Sequence, residues 1–227
     1  MGMTVGIVGG TGPAGRGLGA RLAASGSVVV LGSRDAARAG SAADEIRDRW
    51  PERDLEISGR ANEEAARADI VVLATVWDAA VSTAVSLAPQ LAGRVVVSMA
   101  NAIIRVGPEF QALVPVRGSI AATIQAAVPG CRVTTAFQHL PAARLGQIDT
   151  ALDADVLVCA DDVDAAEATV RLVESIPGLR GLRAGSLAAA NAVESLTAVL
   201  VNVNVRYRAH ATLRLAGLPR HEEEAGR

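Results

Sequence analysis

From Thr4 to about residue 160, short apolar runs alternate with stretches in which apolar residues recur three and four apart. Thr4 to Val8 predicts a short buried strand, and the helical spacing of Leu18, Leu22 and the alanines between them extends to about Ser25. Val28 to Gly32 predicts a second strand. Asp35 to about Trp50 predicts an alanine-rich helix with Ile46 and Trp50 on one face, closed by Pro51. Leu55 to Ser58 predicts a short third strand, Asn62 to Ala68 a short helix, and Asp69 to Thr75 a strand apolar on both faces. Asp78 to Pro89 then predicts a helix, Arg94 to Ser98 a buried strand, Ala121 to Ala127 a helix and Cys131 to Phe137 a further strand. Asp155 to Ala160 predicts a strand, Val163 to Ser175 a helix broken by Pro177-Gly178, and Leu179 to Ala184 an edge strand. From Ser186 to about Leu215 the pattern is helical throughout, with Leu187, Val193, Leu196, Leu200, Val203 and Tyr207 in step.

The join between the first strand and the first helix carries the strongest signal. Gly10, Thr11, Gly12, Pro13, Ala14 and Gly15 have the spacing G-x-G-x-x-G, placed between a strand and a helix. Gly10 permits the tight turn, Gly12 lets a pyrophosphate approach the backbone without a Cβ in the way, and Gly15 lets helix and strand pack closely. The N–H groups and the dipole of the helix N-terminus then face an anion. Pro13 stands near the first helical position, where its missing N–H costs nothing. The expected fold is therefore α/β: a Rossmann-type doubly wound parallel sheet that binds a dinucleotide over residues 1–160. A small, mostly helical C-terminal domain is expected over residues 161–227, closing the cleft; its apolar stripe can seal a dimer interface. The tail from Pro219 through Arg220 to Arg227 is expected to fray.

Which dinucleotide fits is decided about 20 residues past the glycine turn, where an acidic side chain would take the ribose 2′-hydroxyl of NAD. Here the second strand ends Gly32-Ser33-Arg34, with Arg38 one helical turn on. A hydroxyl and two guanidiniums suit a 2′-phosphate, and Asp35 comes one residue too late to point at the ribose. The plainer alternative is a pair of solvated surface arginines. The choice falls on NADP.

Composition narrows the chemistry. The net charge of −2 and the 20% of charged residues carry no nucleic-acid bias. No apolar run reaches the ~18 residues of a membrane span, and no basic segment followed by a long apolar one suggests a secretory signal. Every basic side chain is Arg or His, so lysine chemistry is excluded. Cys131 and Cys159 sit in strand-like runs and read as core residues, and with the three His they show no metal-ligand spacing.

Later strand ends deliver further candidates to the same crevice. Thr75 and Trp77 follow one central strand; Trp77 is either core or a cofactor contact. Asn101 follows the next, with an amide that bonds the nicotinamide or a second ring unless it merely makes a turn. Gln138, His139 and Ala142 lie on the loop after the following strand, and His139 divides evenly between substrate contact and structural residue. No nucleophile–base pair and no carboxylate pair stands in a motif. Hydride transfer needs none, because the protein need only place two carbons at roughly 3–3.5 Å.

The stretches Gly9 to Gly15, Gly32 to Arg34, Thr75 to Trp77, Leu140 to Arg144 (Leu-Pro-Ala-Ala-Arg) and Val193 to Thr197 (Val-Glu-Ser-Leu-Thr) together resemble the NADPH-dependent reductases of the deazaflavin coenzyme F420. These F420:NADP oxidoreductases are matched over nearly the whole chain; they carry a proline where this chain has Val76. The resemblance implies hydride exchange between NADPH and coenzyme F420, both lying in the interdomain cleft of a cytoplasmic homodimer. It implies Thr11 to Ala14, Ser33, Arg34 and Arg38 on the NADP phosphates, and Thr75, Trp77 and Ala142 around the nicotinamide. Gln138 and His139 would lie near the deazaflavin. The alternatives are an NADPH-dependent reductase of a cyclic imine, a small carbonyl compound or ferric iron, and a non-catalytic NADP-sensing protein.

Arg34→Ala is expected to weaken NADPH far more than NADH. A charge-assisted contact to the 2′-phosphate is worth ~1.5–3 kcal/mol, roughly ten- to over a hundredfold. Calorimetry with both nucleotides measures it, and equal loss for the two would give Arg34 some other job.

Overall fold

The computed structural model describes residues 3–218. In chain order the elements are β1 (Thr4–Val8), α1 (Pro13–Ala24), β2 (Val28–Ser33), α2 (Ala36–Arg49), β3 (Ile57–Ala61), α3 (Asn62–Ala65) and β4 (Ile70–Leu73). They continue through α4 (Trp77–Ser86), α5 (Ala88–Leu91), β5 (Val95–Ser98), β6 (Ile103–Val106), β7 (Glu109–Ala112), α6 (Ile120–Ala127) and β8 (Arg132–Thr135). The last are α7 (Ala142–Leu145), β9 (Ala154–Ala160), α8 (Val163–Glu174), β10 (Leu179–Gly185) and α9 (Ala190–Tyr207). Eight strands form one sheet in the order β10-β9-β8-β5-β4-β1-β2-β3. From β3 to β8 all neighbours are parallel, so their carboxyl ends share one edge. The order reverses at β1, which makes the crevice above it the place where a ligand binds in such a sheet.

The central strand β4 is apolar at every position because both its faces are covered. Ile70 and Val72 enter one core cluster with Leu18, Leu22 and Leu172, while Val71 and Leu73 enter the other with Leu91, Ile124 and Val193. Each fully buried aliphatic side chain of this kind contributes about 1.5–3 kcal/mol of transfer free energy. Cys131 and Cys159 are free, buried thiols within the second cluster.

Past residue 160 the sheet continues: β9 turns antiparallel to β8, and β10 pairs with β9 in parallel from Leu179 opposite Ala154 onward. The C-terminal helix is shorter than its apolar pattern suggests. It stops at Tyr207, where Arg208 takes a left-handed conformation and the Asn204 amide pairs with both backbone groups of Ala211. The chain then returns to β9, where the Asp155 N–H donates to the Leu213 carbonyl at 2.8 Å. The antiparallel hairpin β6–β7 carries no clear period in the sequence. It is held by Asn202 on α9, whose amide accepts from the Phe110 N–H at 2.7 Å and donates to the Phe110 carbonyl at 2.8 Å. Residues 219–227, including the charged tail, lie outside the described residues, and among those described no helix is long and apolar enough to cross a membrane.

Two buried carboxylates join the last third of the chain to the rest. Asp155 is wholly buried and bonded by Arg180 through two nitrogens at 2.8 Å, by Arg214 and by the Leu215 N–H. Burial alone would raise its pKa, but these partners outweigh burial and hold it low. Glu194 on α9 accepts from the N–H groups of Ile120 and Ala121 at 2.9 and 3.2 Å, capping α6 together with Ser119. Burial pushes the Glu194 carboxyl up to about 7, against the pull of those two N–H bonds.

Between the ordinary carboxylate value and about 7, folded Glu194 keeps a proton that the unfolded chain has lost. Its contribution is therefore full at low pH, falls by about 3 kcal/mol as pH rises to 7, and is flat above. Glu194→Gln is expected to flatten that part of the stability profile in denaturant unfolding at a series of pH values; an unchanged slope would contradict the assignment.

Candidate functional site

The strand ends lie side by side at the crevice. Leu73 stands beside Val8 and Ser98, and Ser98 beside Thr135. The loops that follow stay paired for one more step, with Ala74 N–H on the Val8 carbonyl, Met99 N–H on Leu73 and Ala136 N–H on Ser98.

In the glycine turn, Gly9 takes φ +71°, and the Gly10 N–H donates to the Gly32 carbonyl at 2.9 Å. A Cβ on Gly10 would lie 2.7 Å from the Ile7 carbonyl oxygen, and one on Gly15 2.8 Å from the Gly10 Cα, so the protein itself requires both glycines. Gly12 is different. It has φ −76°, and the nearest atom to an added Cβ is the Gly9 oxygen at 3.9 Å. Nothing in the fold demands a glycine there, whereas a group lying on the backbone would. Among the described residues no side chain caps α1 at this end and no acidic residue occupies its first turn, while Pro13 does. Thr11 and Ala14 line the same turn, half-buried.

At the end of β2, Ser33 is buried and its hydroxyl accepts the Asp35 N–H at 3.2 Å. The Asp35 carboxylate turns back to cap α2 through the N–H groups of Ala37 and Arg38. Its charge is spent on the helix and does not face the crevice. Arg34 and Arg38 are exposed, and among the described residues neither guanidinium makes a hydrogen bond or ion pair.

Thr75 packs on the glycine turn: a Cβ on Gly9 would lie 2.7 Å from its Cγ2. Val76 has φ −60°, a value proline also adopts, so the residue difference from the resembled family leaves the backbone as proline would set it. Trp77 opens α4, half-buried against the second core cluster. Ala142 opens α7, and this turn is carried to α1 by Arg21. Its buried guanidinium donates to the carbonyls of Arg144, Leu145, Gln147 and Thr150 at 2.7–3.2 Å. Gly17 permits that approach, since a Cβ there would lie 2.8 Å from the Gly146 nitrogen. Trp50, buried at the end of α2, donates its indole N–H to Asp149 at 2.8 Å and ties α2 to the same loop.

Asn101 and Gln138 are brought together, the Asn101 Nδ2 donating to the Gln138 carbonyl at 3.0 Å. Gln138 and His139 are 6% and 3% exposed, and Phe137 before them holds φ +67°, a strain of order 1–3 kcal/mol that aims the loop. The His139 Nε2 donates to the Asp155 carbonyl at 2.8 Å, and burial lowers the ring's pKa. Thr75 Oγ1, Asn101 Oδ1, Gln138 Oε1 and His139 Nδ1 have no partner among the described residues. A buried polar atom left so costs about 1–3 kcal/mol, which points to a ligand edge. Arg21, Asn62 (whose Oδ1 accepts the Gly9 N–H at 3.2 Å) and Asp155 support the site without any local sequence signal, because each acts on a loop remote in the chain.

A family described as NADP oxidoreductase, coenzyme F420-dependent, matches residues 4–102. An F420-dependent NADP reductase of Methanothermobacter thermautotrophicus is 33% identical over 226 residues, 97% of this chain and 97% of that one. Its counterpart in Methanocaldococcus jannaschii is 32% identical over 215 residues, 92% of this chain and 96% of its own. A crystal structure from Arthrobacter sp. FB24, given as a candidate F420-dependent NADP-reductase, has a TM-score of 0.79 at 24% identity and covers 95% of this chain and 100% of that one. With identity above three in ten along nearly its full length, the chain belongs to the F420-dependent NADP reductase family.

Proposed function

We propose that this protein is an oxidoreductase that transfers a hydride between NADP(H) and coenzyme F420, working in the cytoplasm as a homodimer. The observation that carries the nucleotide half is Gly12, a glycine that the fold does not need, at the uncapped start of α1. In this reading the backbone of Thr11 to Ala14 grips the pyrophosphate. Ser33, Arg34 and Arg38 take the 2′-phosphate, their charge uncancelled because Asp35 is occupied at α2. Thr75, Trp77 and Ala142 line the nicotinamide, and Asn101, Gln138 and His139 meet the deazaflavin. The nucleotide-binding half runs to about residue 160; the remainder, led by α9, closes the cleft. The exposed Val199, Val205 and Tyr207 on α9 support that helix as the face between two copies.

The chemistry is delivery of a hydride from the dihydronicotinamide to the deazaflavin ring carbon with a proton from solvent, or the reverse. The chain's own contribution is to hold both rings with their reacting carbons at roughly 3–3.5 Å and to exclude water between them.

Mixing enzyme, NADPH and oxidised F420 is expected to bleach the deazaflavin's visible absorption; persistence of that band while a cyclic imine or ferric iron is reduced would name another acceptor. Gly12→Ala is expected to leave the melting temperature unchanged or slightly raised and to weaken NADPH at least about tenfold, ~1.4 kcal/mol. Gly15→Ala should instead lower the melting temperature. Loss of stability in both variants would make Gly12 structural.

A further inference from the structure

Two polar side chains on the loops after β5 and β8 have one edge fixed and the other buried without a partner among the described residues. His139 bonds the Asp155 carbonyl through Nε2, and a carbonyl only accepts, so the proton sits on Nε2 and Nδ1 keeps its lone pair. Asn101 is fixed by the same logic: Nδ2 donates to the Gln138 carbonyl, which leaves Oδ1 as an acceptor. Neither Nδ1 nor Oδ1 has a partner among the described residues. Gln138 differs, because its amide bonds the Thr135 hydroxyl, which can donate or accept, and so it can turn either way. Burial keeps His139 neutral and its Nδ1 an acceptor.

The sheet order says which ligand meets this pair. Along the shared edge, β2 carries the arginines, β1 the glycine turn and β4 Thr75; β5 and β8, which carry Asn101 and His139, come last. A ring placed beyond the nicotinamide arrives there. Resting on hydride exchange with a deazaflavin, we infer that Asn101 Oδ1 and His139 Nδ1 accept from the N–H groups on the pyrimidine-dione edge of that ring, and so bind its reduced form more tightly than its oxidised form. NADPH, oxidised deazaflavin and one proton become NADP+ and reduced deazaflavin: the hydride's electron pair forms a C–H bond at the ring carbon, and the proton forms an N–H bond at a nitrogen of that edge. The reduced ring therefore offers one donor more. In the oxidised ring the same nitrogen presents a lone pair, which faces a lone pair of the protein. Asn101 and His139 are specificity-determining residues for the oxidation state of the second substrate.

The test is anaerobic calorimetry of oxidised and of reduced F420 on the full chain with NADP+ present. The wild type is expected to bind the reduced form at least about tenfold tighter. Of His139→Leu and Asn101→Ala, the one that removes the acceptor facing the N–H made on reduction should bring the ratio towards one by weakening the reduced form, and the other should weaken both forms alike, with the NADP+ affinity kept in both. Should His139→Leu fail to fold, the wild-type preference and Asn101→Ala decide between the outcomes. An unchanged ratio in every variant that folds, or no preference in the wild type, overturns the inference while the hydride-exchange reading stands. A wild type that binds neither form defeats both.

Discussion

Asp155 has no exposed surface, and every polar group it owns is spoken for. Its carboxylate takes Arg180, Arg214 and the Leu215 N–H; its backbone gives an N–H to Leu213 and a carbonyl to His139. A charge so deep stands only with such a complement, since removing one partner of a buried pair costs about 3–5 kcal/mol. The same requirement draws three parts of the chain to this residue of β9: the edge strand β10, the segment after α9 and the loop after β8. β9 runs against its neighbour, so its first residues lie at the edge where the parallel strands finish. The support of the loop after β8 is thus a consequence of where a carboxylate was buried.

The glycine turn is built on different physics. There close backbone approach is what the glycines supply. Gly10 and Gly15 let α1 settle on the turn after β1, and the Arg21 guanidinium carries α7 to the other side of the same helix. One rigid element is consequently pressed from both flanks. A helix terminus held in this way gives up little conformational freedom when an anion docks on it.

These differences explain what could be read in advance. The strand, glycine turn and helix at the start are contiguous, and so are Ser33, Arg34 and Asp35, whose carboxylate caps the helix that follows. Central strands were legible because two covered faces leave an unbroken apolar run. The β6–β7 hairpin was not, because its support is the Asn202 amide 92 positions away from Phe110. The end of α9 was overrun for a similar reason: Arg208 and the Asn204 contact halt a helix whose apolar spacing continues to Leu215. His139 stayed ambiguous because one ring nitrogen serves the fold while the other is buried without a partner among the described residues.

The hairpin has a bearing on how such a chain diversifies. The family match stops at residue 102, where β6 is about to begin, and the hairpin belongs to a separate small sheet. It adds no strand to the main sheet and packs on α9, where the Asn202 amide bonds Phe110, so a change between residues 103 and 112 leaves the strand register of the eight-stranded sheet as it is.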